Sequence, residues 1–532
     1  MRSMILENLV GLACQAHPLS KYACVSTEWQ AFFEKKTYRR LIVRSSQDDL
    51  DHLAAVLRGR LQLIRHIVLR IELEEYDCTV CKTREDDEAI SRNNIAFTNA
   101  LYRVLVVLSA WKLTKSSIDT HRGLTLELCV FSPSDTKHRF KDFRLEDTYP
   151  YVSSEDLPPA LDGYADYEAN RAARDDRLRD KEHRWLNGKH SGRPTLGSRK
   201  RILGTSPLTF DFSEFTTRRG WTERVLPKAP IITGFLIRRQ YYRIVSAQAI
   251  HKLMTQSLTN LQSWRWERWL DVAPYHYQGF RRALRFDLSE DLPRTLKHLA
   301  IYLDTNAILH RDTVSHSYPS LGRNLALVSH RELELEVLAL SFVVDAGDFF
   351  EQYGYITRKR KTRAPDDTAA WSLYDKKVAR AQWRSLQRLA LTCRALRKGN
   401  RKEINSLLGL IACVALHLMP RIEVVELWNS EPGSSSSFCL DVGRDGQAAI
   451  SWRSTWDHEG SAIDPETVHA WNLVARKRTA NRDAVVTTSR MQLDPHTKDY
   501  LAPSSYLRLW RDVFHPISYY QLRWECRNHD VG

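Results

Sequence analysis

Apolar positions recur along the chain in the spacing x-L-x-x-L-x-L, whose last two positions fall on one face of a short strand while the first anchors the turn before it. Five copies are legible: Leu261/Trp264/Trp266, Leu296/Leu299/Ile301, Leu335/Leu338/Leu340, Leu386/Leu389/Leu391 and Ile422/Val425/Leu427, with starts 35, 39, 51 and 36 residues apart. A strand, a helix and two loops occupy about 30 residues or more, so these intervals predict successive βα units with parallel strands. Between the last two copies, Ile404, Leu407, Leu408, Ile411, Val414, Ala415 and Leu418 recur at steps of three and four, which predicts a helix over 403–419 that Pro420 stops. Ser246 reads as the N-cap of another, with Ile250, Leu253, Met254 and Leu258 on one stripe. Upstream, RHIVLRIELEEYDC and GLTLELCVFSP read as buried strands on either side of a helical stretch at 94–109. Downstream, Ser434–Ser437 reads as a loop and CLDVGRDGQAAISW as a hairpin turning at Asp445 and Gly446. A polar helix from Pro465 and the stretch SYLRLWRDVF are expected to cap the open end of the array.

Composition fits this picture: 43% of the residues are hydrophobic and 27% charged, so the chain can bury a core. No apolar run approaches the roughly 18–20 residues of a membrane span, and no signal-peptide pattern opens the chain. Nine scattered cysteines suit a reducing compartment, so a cytoplasmic or nuclear location is expected. The net charge of +15 is concentrated, with +7 over Arg171–Arg201 and +5 over Arg358–Arg363. Both runs read as solvated surface loops. Arg358, Lys359, Arg360, Lys361 and Arg363 form a candidate anion-binding set, which keeps a nucleic-acid or polyanion scaffold open as an alternative.

Chemistry is sparse. There is no G-x-S-x-G, no G-x-x-x-x-G-K-[ST], no G-x-G-x-x-G and no H-E-x-x-H, so no catalytic residue is assigned and neither an enzyme nor a cofactor is expected. Cys78 and Cys81 form a C-x-x-C, but a closed zinc site takes four ligands and no second C-x-x-C or H-x-x-x-H follows. Only Cys129 and His66 suggest themselves as further donors. The pair is therefore expected to pack as small residues at a strand end, with no metal. Trp264 and Trp266, at i and i+2, are expected to share the buried face of a strand rather than to form a stacking platform.

Residues 4–33 hold short apolar stripes, Met4, Ile5 and Leu9, then Leu19, Tyr22, Ala23, Val25 and Trp29 with Phe32 and Phe33. Three short helices fit, in a unit too small to be stable without a neighbour. Leu19, Tyr22, Val25, Ser26 and Trp29, followed by TYRRLIVR, resemble the F-box and its succeeding strand, and Glu72–Cys81 is similar to a stretch in uncharacterised fungal F-box-like proteins. The resemblance implies an α/β chain with a short helical F-box-like head and an irregular leucine-rich-repeat-like array. It also implies a non-enzymatic adaptor that recruits a protein substrate to a cullin-RING ubiquitin ligase. Met4, Ile5, Leu9, Leu19, Tyr22 and Val25 would contact the ligase's adaptor subunit, and the concave strand face would hold the client. A repeat protein whose head binds no adaptor is the remaining alternative. The expected division is a head at 1–45, first βα units at 46–145, a charged insertion at 146–205, the array at 206–430 with a basic insertion near 355–370, and a mixed C-terminal cap at 431–532.

Overall fold

The computed structural model describes residues 6, 19–111, 123–141, 179–186, 189–214, 225–285, 290–310, 319–327, 333–362, 382–431, 434–443, 447–457, 463–479, 485–492, 506–519 and 521–522. Its strands, in chain order, are β1 (Arg40–Arg44), β2 (His66–Glu72), β3 (Leu124–Phe131), β4 (Trp185–Leu186), β5 (Lys189–His190), β6 (Ile232–Ile237), β7 (Ser263–Trp269), β8 (His298–Asp304), β9 (Val337–Asp345), β10 (Arg388–Thr392), β11 (Val424–Glu431), β12 (Ser434–Val442), β13 (Ala448–Ser454) and β14 (Thr487–Gln492). Twelve of them form one sheet in which each strand pairs with its neighbour in the chain, and the short β4–β5 hairpin stands apart. All pairings in the large sheet are parallel except β11–β12 and β12–β13. The chain is thus an α/β array of βα units.

The apolar spacing sets the register. Trp264, Leu299, Leu338, Leu389 and Val425 lie side by side across β7–β11, and Trp266, Ile301, Leu340, Leu391 and Leu427 form a second row two residues on. The rows continue upstream through Phe235 and Ile237 of β6. All these side chains are buried in one core with the helices that cross between strands, among them Ala247–Gln256 and Arg401–Leu418. A slip of one residue in any strand would turn its rows to the other face, so burial fixes the pairing. Ser246 caps the first of these helices, its side chain accepting from the Ala249 N–H at 3.1 Å.

Three expectations need correction here. Ser434–Ser437 is strand, not loop: Ser436 and Ser437 are buried in β12, and the Ser436 hydroxyl donates to the Leu396 carbonyl at 2.7 Å, which replaces the water a loop serine would find. The expected hairpin is present as β12–β13, while Asp445 and Gly446 lie outside the described residues. Arg358–Thr362 ends the helix Ala346–Thr362 rather than forming a loop, since Lys and Arg are good helix formers. The end of the charged insertion is folded in. Arg199 and Arg201, in the helix Leu196–Leu203, are buried because their guanidinium groups donate to the carbonyls of Leu309, Thr83 and Arg84.

Among the described residues, the C-terminal segment at 506–519 and 521–522 is not set at the open end, where β14 is the edge strand. It lies instead across the face of the sheet opposite the helices. There Leu507, Leu509, Val513, Phe514, Tyr519 and Leu522 pack on Ala300, Tyr302, Ala339, Ala390 and Trp428 of β8–β11. The strand face expected to be free for a client is occupied here by the chain itself.

Candidate functional site

Of the proposed adaptor contacts, Met4, Ile5 and Leu9 lie outside the described residues. Leu19 opens a short 3-10 helix, Leu19–Cys24. Tyr22 stacks on Phe33 with ring centres 5.3 Å apart, and Trp29 meets the same ring at 5.7 Å, so these aromatics build the interior of the head. Val25 is 61% exposed. The helix Thr27–Thr37, capped by Ser26, leads into edge strand β1. Arg358, Lys359, Arg360 and Lys361 are placed by their backbone on one helix end, and Arg363 lies outside the described residues.

The strongest gathering of reactive side chains is elsewhere, beyond the carboxyl ends of β2 and β3. The segment after β2 is pinned to the turns after β3: Leu73 N–H donates to Phe131 O at 2.8 Å, Tyr76 N–H to Ser134 Oγ at 3.0 Å, and Tyr76 hydroxyl to Asp135 at 3.2 Å. Asp135 is in turn paired with buried Arg243, which also engages Glu85. This scaffold sets Cys78 beside His138, with Sγ 3.4 Å from Nδ1. His183 arrives from the far end of the charged insertion, its Nε2 3.2 Å from the same His138 Nδ1. Trp185 holds that turn in place, buried with its indole N–H shared between the carbonyls of His138 and Arg139.

The outer nitrogens of both imidazoles are engaged. His138 Nε2 lies 3.2 Å from the Tyr76 carbonyl, which can only accept, so the proton sits on Nε2 and Nδ1 carries a lone pair. His183 Nδ1 lies 2.7 Å from Asp180 Oδ2, and Lys141 approaches the same oxygen at 2.5 Å. Burial works against the Asp180 charge, but the bonds from Lys141 and His183 outweigh it and hold the carboxyl below the usual range. A carboxylate that stays ionised accepts from His183 Nδ1–H and so orients the ring with Nε2 toward His138. Burial also lowers the basicity of His138. Cys81 is buried, its thiol donating to Cys78 O at 3.2 Å and pushed up in pKa by burial and by the neighbouring Cys78. Cys81 and His183 line one cavity of about 150 Å³ together with Arg139, Glu182, Thr195 and Ser198.

The expected partners of the cysteine pair are not these. His66 and Cys129 both attend Glu127, at 2.8 and 3.6 Å, on the sheet. Sequence reasoning marked the C-x-x-C and missed His138 and His183, because no local spacing connects residues so far apart in the chain. Trp264 and Trp266 are both buried in the main core, as their alternation predicts.

A second polar feature lies under the C-terminal segment. Glu426 of β11 accepts the Arg508 and Leu509 N–H groups at 2.8 and 2.7 Å. Burial raises its pKa to about 7 from an ordinary 4.5, against the opposing pull of these bonds and of Arg453 and Arg508. A carboxyl whose pKa is raised on folding favours the folded, protonated form below its folded pKa, so docking weakens as pH rises from about 4.5 through about 7. Amide exchange at Arg508 and Leu509, corrected for intrinsic rates, is expected to be about tenfold or more faster near pH 8 than near pH 5. Equal protection at the two pH values would contradict this.

Fold and site together define a parallel α/β repeat chain with a Cys/His cluster on the carboxyl side of its early strands. Residues 291–515, from just before β8 to the middle of the C-terminal segment, match a family of unknown function, DUF6546. No curated protein and no solved structure matches the chain. No helix among the described residues is long and apolar enough to cross a membrane.

Proposed function

We propose that the chain is a non-enzymatic adaptor of the F-box-like kind, located in the cytoplasm or nucleus. In this reading the head engages the small adaptor subunit of a cullin-RING ubiquitin ligase, and the array carries a protein client. The observation that supports it is the head's construction, an aromatic interior of Tyr22, Trp29 and Phe33 with Val25 left exposed beside it, set on the edge strand of the array. A small helical unit that keeps an apolar side chain in solvent has a surface suited to a helix-on-helix contact. The client surface then lies away from the part of the strand face that the C-terminal segment covers.

The test is capture of the adaptor subunit by the full-length chain. Val25→Glu places a charge in the contact without touching the aromatic interior, and capture is expected to fall about tenfold or more, the equivalent of 1.4 kcal/mol. If the unmodified chain captures no adaptor under conditions that capture an authentic F-box protein, the reading fails. Binding to RNA or DNA that weakens steeply with added salt would favour the basic helix end at Arg358–Lys361 instead.

A further inference from the structure

We propose that Cys78, Cys81, His138 and His183 bind a structural zinc ion that ties the charged insertion to the first strands of the array. His138 Nδ1 and His183 Nε2 face each other at 3.2 Å, and the Cys78 sulfur lies 3.4 Å from the first. The ligand atoms of Cys78, His138 and His183 all lie within 4.8 Å of one another. Bonds of about 2.0–2.1 Å to nitrogen and about 2.3 Å to sulfur in a tetrahedron give edges of roughly 3.3 Å between nitrogens, roughly 3.6 Å between nitrogen and sulfur and roughly 3.8 Å between sulfurs, so the His138–His183 and Cys78–His138 spacings suit ligands of one zinc ion. Nitrogen and thiolate donors select zinc over magnesium or calcium, which take oxygen.

Cys81 supplies the fourth bond. It stands three residues after Cys78, the separation by which two cysteines of one turn reach the same ion, and it lines the cavity that His183 also lines. Rotation about its Cα–Cβ bond exchanges the contact with Cys78 O for a bond to the metal. Binding breaks both S–H bonds and releases the two protons to solvent, while the histidines bind as neutral imidazoles without losing one. Asp180 positions His183 through the 2.7 Å contact to Nδ1, and the Tyr76 carbonyl does the same for His138. The ion would join three segments, at 78–81, 138 and 183, that are distant in the chain.

The test uses the full-length chain purified without a metal-binding tag. Elemental analysis is expected to find about one zinc per chain, and cobalt(II) added to the stripped protein should give the visible bands of tetrahedral cobalt and a thiolate-to-cobalt charge-transfer band. Cys78→Ser and His183→Ala should each abolish stoichiometric binding, and Cys81→Ser should alter the cobalt spectrum. Asp180→Asn, which keeps every ligand, should weaken zinc binding about ten- to a hundredfold. Unmodified chain that holds no zinc and shows no cobalt charge-transfer band overturns the proposal, and so does stoichiometric zinc that persists in the Cys78→Ser/His183→Ala double variant. The first of these outcomes needs no variant to fold. Loss of adaptor capture with zinc retained would overturn the adaptor reading and leave the metal site standing.

Discussion

Replacing Arg238 with alanine is expected to lower the unfolding free energy by about 3–5 kcal/mol, because it leaves a buried carboxylate without its main counter-charge. Glu127 lies on β3 at 1% exposure, ion-paired with Arg238 and approached by His66 at 2.8 Å and Arg40 at 3.8 Å. Burial alone would raise its pKa, yet Arg238, then His66 and Arg40, hold it well below the ordinary carboxylate value. Without Arg238, either the charge stays buried and weakly compensated or a proton must be taken up, and each route costs stability. Removing both members, as Arg238→Met with Glu127→Gln, should cost less than the single change, since no fully buried charge is then left unpaired and Arg40, which loses Glu127, keeps some contact with solvent. Denaturant unfolding of the two single variants and the double variant measures the coupling. If Arg238→Ala alone costs under about 1 kcal/mol, the buried-charge account of this part of the sheet is wrong.

Ending the chain after residue 505 is expected to increase self-association. The segment that would be lost covers Ala300, Tyr302, Ala339, Ala390 and Trp428, with Phe514 edge-on to Tyr302 at 4.8 Å between ring centres. Exposing this row produces a contiguous apolar patch on the flat side of parallel strands, a surface that monomeric proteins rarely leave open. The loss is polar as well. Glu426 would part from the Arg508 and Leu509 N–H groups, and Glu267 from the His515 N–H. Light scattering, binding of an apolar dye and thermal melting together read the outcome. A truncated chain that stays monomeric and melts with the full-length protein would show that the segment contributes nothing to the sheet.

The array was legible in the sequence because two constraints coincide there. The i, i+2 alternation within a strand and the interval from one strand to the next both act on Trp264, Leu299, Leu338, Leu389 and Val425, and the sheet sets those residues side by side. Where only composition spoke, it misled. Arg199 and Arg201 belong to a charge run that reads as solvated, yet backbone carbonyls satisfy their guanidinium groups inside the fold. Four consecutive serines read as a loop, but a strand between two partners gives their backbone groups ladder bonds, and the Ser436 hydroxyl finds the Leu396 carbonyl. The Cys/His cluster shows the limit most sharply. Cys78 and Cys81 announce themselves as neighbours, whereas His138 and His183 meet them only because Trp185 and the turns after β3 fold back over the end of β2.

In an array where each unit touches only the next, stability passes from neighbour to neighbour and the two ends can open independently. The segment over the strand face changes that rule. Arg511 O accepts from Arg265 on β7, Asp512 pairs with Arg388 on β10 at 3.2 Å, and Arg508 meets Asp441 on β12 at 2.7 Å. One short stretch of chain thereby spans strands that never touch one another. These residues follow β7–β12 in the chain, so those strands can stack unit by unit as they emerge from the ribosome but are locked together only once the segment has followed them. Opening of any one of those strands afterwards must first lift a strap held by all the others, which merges units that would otherwise fray separately into a single cooperative block.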